Sequence, residues 1–266
     1  MKTMNKSLSV ASLQFAACSD IAVNHAAIVR GMRQAAEQGA DLLLTQECAL
    51  CGYPPIESVF AEINFDQLRA AEQQLWEVAK ALNIVLFLGT IIQQDADSYN
   101  AIRVLHPDGN EREPYAKRAL WGWDLDHFIP GTQSGIYELG DVKVGVRICF
   151  EVRFPEYFRE LFAKDVDVML IAFCDGGSPT NTTREPILTG HLVTRAVENA
   201  SWVVTANSTA EHQLVPTCMI HPDGAIVAHA EKNREMVIVK TLECTSPPYG
   251  RRGRMEISRE LCKDHY

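Results

Sequence analysis

Residues 142–173 read VKVGVRICFEVRFPEYFRELFAKDVDVMLIAF. An apolar run of strand length, VKVGVRIC, is followed by FPEYFRELFAKD with helical spacing and then by a second apolar run, VDVMLIAF. This alternation predicts strands and covering helices in layers rather than a helical bundle or an all-β sandwich. The pattern also occurs earlier. SLSVASLQFA, DLLLTQE and IVLFLGTIIQ read as strands, and NHAAIVRGMRQAAEQGA, ending at Gly39, and FDQLRAAEQQLWEVAKALN read as amphipathic helices. YNAIRVLHPDGNERE reads as strands turning at PDGN, and ILTGHLVTRAVENA as a helix. SWVVTANS, PTCMIHPDGAIVAHA and EMVIVKTL follow as strands. The tetrapeptide HPDG occurs twice and predicts antiparallel hairpins, so the expectation is a mixed sheet covered by helices. The tail from SPPYGRRGR onward, about residues 245–266, has no clear period and is expected to lie on a neighbouring subunit or on the chain's own surface.

A chain of 266 residues with 47% hydrophobic residues can bury a sizeable core, and a single domain over 1–266 is expected. The net charge of −9 comes from interspersed acids and bases. That argues against nucleic acid and a membrane surface as partners. The N-terminal apolar stretch is short and broken by Ser and Gln, unlike a signal peptide, and no run of eighteen apolar residues occurs. Eight scattered cysteines without a secretion signal read as reduced thiols, and the expected location is cytoplasmic.

Cys149 closes the apolar strand just before a helix start at Pro155, and strand ends are where α/β scaffolds present functional groups. A lone cysteine there is as readily a packing residue as a reactive one. Two other segments favour chemistry. LLLTQECALCGYPP ends an apolar strand at Glu47, and EPYAKRALWGWDLDHFIPG places Lys117 before an aromatic-rich loop. Together they offer a nucleophile, a base and a cation from three loops.

These segments, ECALCGYPP, YAKRAL and ICFEVRFPE, resemble the Glu, Lys and Cys motifs of the nitrilase (carbon–nitrogen hydrolase) superfamily, in the same order and over nearly the whole chain. TRAVENASWVVTANS and HPDGAIVAH resemble two further segments of that family. The resemblance implies an α/β fold, a four-layer α-β-β-α sandwich, that pairs into a homodimer or higher homo-oligomer. It implies an amidase-like hydrolase of a small linear amide, an ω-amide or carbamoyl amide, needing no cofactor or metal. In that reading Cys149 is the nucleophile and Glu47 the general base. Lys117 and the backbone N–H of Phe150 stabilise the oxyanion. The base matters because a thiol near its reference pKa of about 8.5 is only a few per cent ionised at neutral pH. Nitrile hydrolysis or acyl transfer on the same fold is the alternative, and a non-catalytic binding protein is the third reading.

The sequence departs from the family pattern in places. The loop after Lys117 lacks the second glutamate many relatives carry, and Asp124 or Asp126 is expected in its place. Gln46 stands where a proline is usual, and Thr217 where a serine is common. CDGGSPTNTT occupies a segment in which relatives touch substrate, which puts Asp175 and Ser178 in the pocket with Tyr53 of GYPP. Asp175 could hold a cationic amine or cap the following turn. Arg153 and Glu198 are expected either to pair or to hold loops near the site. Cys48 and Cys51 form a C-x-x-C without a second pair at zinc-finger spacing, and His191, His212 and His221 show no repeated ligand spacing.

Overall fold

The computed structural model describes residues 6–176, 183–209, 213–245 and 248–263. Ser178 and His212 lie outside these described residues.

The first half of the chain builds one sheet. Strands β1 (Lys6–Gln14), β2 (Leu42–Leu44) and β3 (Val85–Gln94) are parallel neighbours, joined through helices α1 (Ile21–Glu37) and α2 (Phe65–Leu82). β4 (Asp97–Leu105) and β5 (Tyr115–Ala116) extend it antiparallel. The second half repeats the plan. β6 (Ile136–Leu139) pairs antiparallel with β7 (Val142–Ile148), which leads through α4 (Pro155–Ala163) to the parallel β8 (Val168–Phe173). Then α5 (Arg184–Asn199) leads to the parallel β9 (Trp202–Asn207). A hairpin of β10 (Cys218–Ile220) and β11 (Ile226–His229) closes that sheet, and β12 (Met236–Cys244) crosses back to pair antiparallel with β1.

Local chemistry explains the elements. Asp20 caps α1 by accepting from Ala22 N and Val23 N, and the buried Ile21, Asn24, Ala27, Ile28, Gly31, Met32 and Ala35 form one helical stripe. Asn64 caps α2 through Gln67 N, Asn83 ends it in the left-handed region, and Pro155 opens α4. The central strands β2 and β8 are buried at every residue, as parallel strands covered on both faces must be.

Three apolar cores define four layers. α1 and α2 cover the first sheet through Ile28, Met32, Leu75 and Leu86. The two sheets meet through Leu44, Phe87, Val146, Leu170 and Val204. α4 and α5 cover the second sheet through Phe158, Leu161, Leu192 and Val203. The fold is therefore the α-β-β-α sandwich expected from the resemblance.

The tail takes one of its two expected places: it forms a helix, α6 (Tyr249–Cys262), on the chain's own surface. Arg254 donates to Val197 O, and Arg259 pairs with Asp165 at 2.6 Å. This helix is hard to read from the sequence because charged residues dominate it and Tyr249, Ile257 and Leu261 face outward, leaving Met255 and Cys262 half-buried. The first HPDG does not make a short hairpin: β4 ends at Leu105 and the next strand begins only at Tyr115. The second HPDG does join β10 and β11, with His221 N donating to Ala225 O.

Gly89 of β3 links this scaffold to the strand end at Glu47. Its N–H donates to Thr45 Oγ1 at 2.9 Å, and its carbonyl accepts from Leu50 N at 3.1 Å. A methyl group on Gly89 would meet Gln46 O at 1.9 Å, whereas one on Gly190 of α5 would meet nothing within 4 Å. Gly89→Ala should therefore lower the unfolding free energy by about 3 kcal/mol. Gly190→Ala should raise it by up to about 1 kcal/mol. Urea titrations of both variants check this, and an unchanged midpoint for Gly89→Ala would refute the tight approach.

Candidate active site

Four strand ends converge where the sheets meet. Glu47 follows β2, Lys117 follows β5, Cys149 follows β7, and Cys174 and Asp175 follow β8. Glu47 N donates to Phe173 O at 3.2 Å, which ties one sheet's turn to the other's strand. Carboxyl ends of parallel strands are where open α/β sheets bind ligands.

At the centre lies a buried chain of charges. Lys117 Nζ donates to Glu47 Oε1 and to Asp124 Oδ2, both at 2.7 Å, and all three side chains are at most 1% exposed. Glu47 Oε1 also accepts from Asn100 Nδ2 at 2.7 Å, and its Oε2 from Cys174 N at 3.0 Å. Asp124 Oδ1 accepts from Tyr53 OH at 2.7 Å. Burial pushes the Glu47 carboxyl above its usual range, and the Lys117 ammonium pulls it back. Burial opposes the charge on Lys117, but its negative neighbours Glu47, Cys149 and Asp124 outweigh that and hold the ammonium firmly protonated.

Cys149 begins a 3₁₀ turn (Cys149–Arg153) in the left-handed region, φ 46°. This residue is half-buried, and its thiol is near enough to Glu47 and Lys117 for both charges to act on it. Burial and the Glu47 carboxylate push the thiol well above its usual value, with Lys117 opposing. Cys149 at neutral pH is thus a protonated thiol next to a carboxylate that can take its proton.

The turn is braced by Glu151, which the sequence reading did not single out. Its fully buried carboxylate accepts from Ile148 N at 2.7 Å, Tyr115 OH at 2.7 Å and Arg118 N at 2.8 Å. One side chain therefore fixes both the cysteine turn and the backbone next to Lys117. The only signal for it was its place inside ICFEVRFPE. Asn100, also missed, is an amide on an otherwise apolar stretch of β4.

Of the two candidate aspartates, Asp124 is fully buried on Lys117, while Asp126 is exposed and stands outside the site. Asp124 opens the short helix α3 (Asp124–His127), which turns it inward. Gln46, in place of proline, donates to Phe15 O at 2.8 Å, and Thr217 Oγ1 accepts from Asn207 N at 2.9 Å. Glu198 pairs with Arg195 at 2.6 Å, so the expected Arg153–Glu198 pair is not made. Cys48 and Cys51 are buried free thiols in the Glu47 turn. Among the described residues no group of three His, Cys, Asp or Glu side chains is placed to hold a metal ion, and no helix is long and apolar enough to cross a membrane.

A cavity of about 430 Å³ opens over Cys149. Lys117, Cys174 and the aromatic Tyr53 and Trp121 are among the residues lining it, together with Arg153, Asp175 and Arg184. Asp175 is buried and pairs with Arg184 at 2.8 Å.

This fold, with a thiol, a carboxylate and an ammonium gathered at its strand ends, defines a hydrolase of carbon–nitrogen bonds other than peptide bonds. The chain belongs to the Carbon-nitrogen hydrolase family, which matches residues 9–245, and stands in the amidase-like branch of the nitrilase superfamily. It is 27% identical to a 2-oxoglutaramate amidase of Bacillus subtilis over 76% of this chain and 77% of the relative. It is 25% identical to an N-carbamoylputrescine amidase of Arabidopsis thaliana, covering 86% and 84%. A variant of the amidase from Nesterenkonia sp. AN1, showing covalent addition of the acetamide moiety of fluoroacetamide at the active site cysteine, superposes with a TM-score of 0.81. That match is 25% identical and covers 97% of both chains.

The charge arrangement sets a pH dependence for Cys149. Its alkylation by iodoacetamide should fall as Glu47 protonates, with an acid limb above the ordinary carboxyl value of 4.5. In Glu47→Gln that limb should vanish, and the reaction should rise only at alkaline pH, where the buried thiol itself ionises. Rates measured by mass spectrometry of the Cys149 peptide check both limbs; identical profiles would contradict the coupling.

Proposed function

We propose that this protein hydrolyses a small linear amide, an ω-amide or a carbamoyl amide, through a thioester on Cys149. The observation that carries this reading is that Cys149 and Lys117 line one ligand-sized cavity, with Lys117 held on Glu47 and Asp124 and the charges of Glu47 and Lys117 acting on the thiol. Cys149 Sγ attacks the amide carbon while its proton passes to Glu47. Lys117 uses two of its three N–H groups on carboxylates, which leaves one to meet the oxyanion with the Phe150 N–H. Glu47 then gives its proton to the nitrogen, the C–N bond breaks, and ammonia or an amine leaves. Water attacks the thioester with its proton going to Glu47; the C–S bond breaks, the acid departs, and the thiolate is reprotonated. Asp124 and Tyr53 hold Lys117 in place rather than exchange protons with substrate.

Several further points belong to the same reading. The whole chain acts as one hydrolase domain, with no cofactor in the reaction. The exposed Tyr249, Ile257 and Leu261 on α6 favour a homodimer or higher homo-oligomer. Eight free cysteines suit the cytoplasm.

Ammonia release from a panel of ω-amides, carbamoyl amines and glutamine is the test, each run beside Cys149→Ala. Activity should fall by a factor of about 10³ or more in the variant. Release that persists in Cys149→Ala would overturn the reading. Silence across the panel with a reactive Cys149 would favour nitrile hydrolysis or acyl transfer, and silence with an unreactive one a binding protein.

A further inference from the structure

The charged side chains that line the cavity are Lys117, Arg153, Asp175 and Arg184. Lys117 is already held by two carboxylates, Glu47 and Asp124, which do not line it. Around Asp175 the balance is reversed: two guanidinium groups, of Arg153 and Arg184, stand with one carboxylate. Asp175 Oδ1 lies 2.8 Å from Arg184 Nη2. Burial pushes the Asp175 carboxyl up, and Arg184 and then Arg153 pull it back, so both cations act on this one anion. Arg153 is half-buried and lies over the Phe150 ring at 5.8 Å. Apart from that ring, its guanidinium makes no hydrogen bond or ion pair with a described residue and acts on Asp175 only at a distance. The other titratable neighbour that Arg153 acts on, His191, is held toward its neutral form by burial and by Arg195 and Arg153. Among the described residues, Arg153 therefore presents an unmatched guanidinium to the cavity.

We infer that Arg153 and Arg184 form a carboxylate-binding subsite, and that the enzyme selects linear amides whose other end is a carboxylate: monoamides of short dicarboxylic acids. This rests on the amidohydrolase reading. A guanidinium offers a planar fork of donors that a carboxylate accepts in pairs. A neutral tail leaves that fork unmatched, and an ammonium tail meets an excess of like charge and must displace Arg184 to reach Asp175.

The experiment compares three amides of similar length: the monoamide of glutaric acid, pentanamide and 4-aminobutanamide. In the wild type, kcat/KM should be at least about tenfold higher for the carboxylate than for the neutral amide, and lowest for the cation. Arg153→Gln and Arg184→Gln should each cut the carboxylate-to-neutral ratio about tenfold, mainly through KM, with Arg153→Lys recovering part of it. A second arm needs no turnover: glutarate should slow iodoacetamide labelling of Cys149 in the wild type and much less in Arg153→Gln. Cys149-dependent turnover without a carboxylate preference, or ratios unchanged in both variants, would overturn the subsite and leave the amidohydrolase reading standing. Protection by glutarate without turnover of any amide would support the subsite and count against amide hydrolysis. Glutarate that gives no protection overturns the subsite whatever the turnover.

Discussion

The site depends on one ammonium placed between two carboxylates where water is almost excluded. Burying three charges is costly, and removing one partner from such a group typically costs about 3–5 kcal/mol, because what remains is an unpaired buried charge. Lys117, Glu47 and Asp124 are at most 1% exposed and share two contacts of 2.7 Å. The additional donors Asn100, Cys174 N–H and Tyr53 satisfy further carboxylate lone pairs and leave Glu47 Oε2 able to accept one more proton donor. The arrangement also leaves Glu47 poised between two influences, burial raising its proton affinity and Lys117 lowering it. A carboxylate balanced in this way can accept a thiol proton and return it to a leaving nitrogen.

The scaffold meets this demand by using strand ends from both sheets. No single loop could hold Glu47, Lys117 and Cys149 together, because each follows a different strand. Their separation is set by the packing of the two sheets, and the turns are locked by a few groups. Gly89 admits the Glu47 turn, Glu151 joins the cysteine turn to the backbone after Lys117, and Glu47 itself accepts from the strand end at Cys174. Side chains at a reacting centre need positional accuracy of about half an ångström, and such bracing supplies it.

The layered fold was legible because its signals are periodic. The buried run VMLIAF and the stripe of α1 follow directly from burial on two faces or on one. The convergence of Glu47, Lys117 and Cys149 was legible only through motif resemblance, since residues 47, 117 and 149 are brought together by topology that no local pattern records. Asp124 and Asp126 looked alike because they are two residues apart; one turn of α3 buries the first and exposes the second. Helix α6 escaped notice because it buries no residue fully, so its sequence is rich in charged residues and few apolar residues mark its inner face. Asp175 looked like a cation hook or a turn cap, and its partner Arg184, nine residues on, emerged only from the way α5 begins beside the cavity.

The most direct test of the central claim is to catch the covalent intermediate. The protein would be mixed with a turned-over amide, quenched in acid during the steady state, digested and read by mass spectrometry. The acyl mass is expected on the Cys149 peptide as a thioester that hydroxylamine removes. Turnover with no acyl mass on Cys149, or with the adduct on Cys174 in the same cavity, would contradict it.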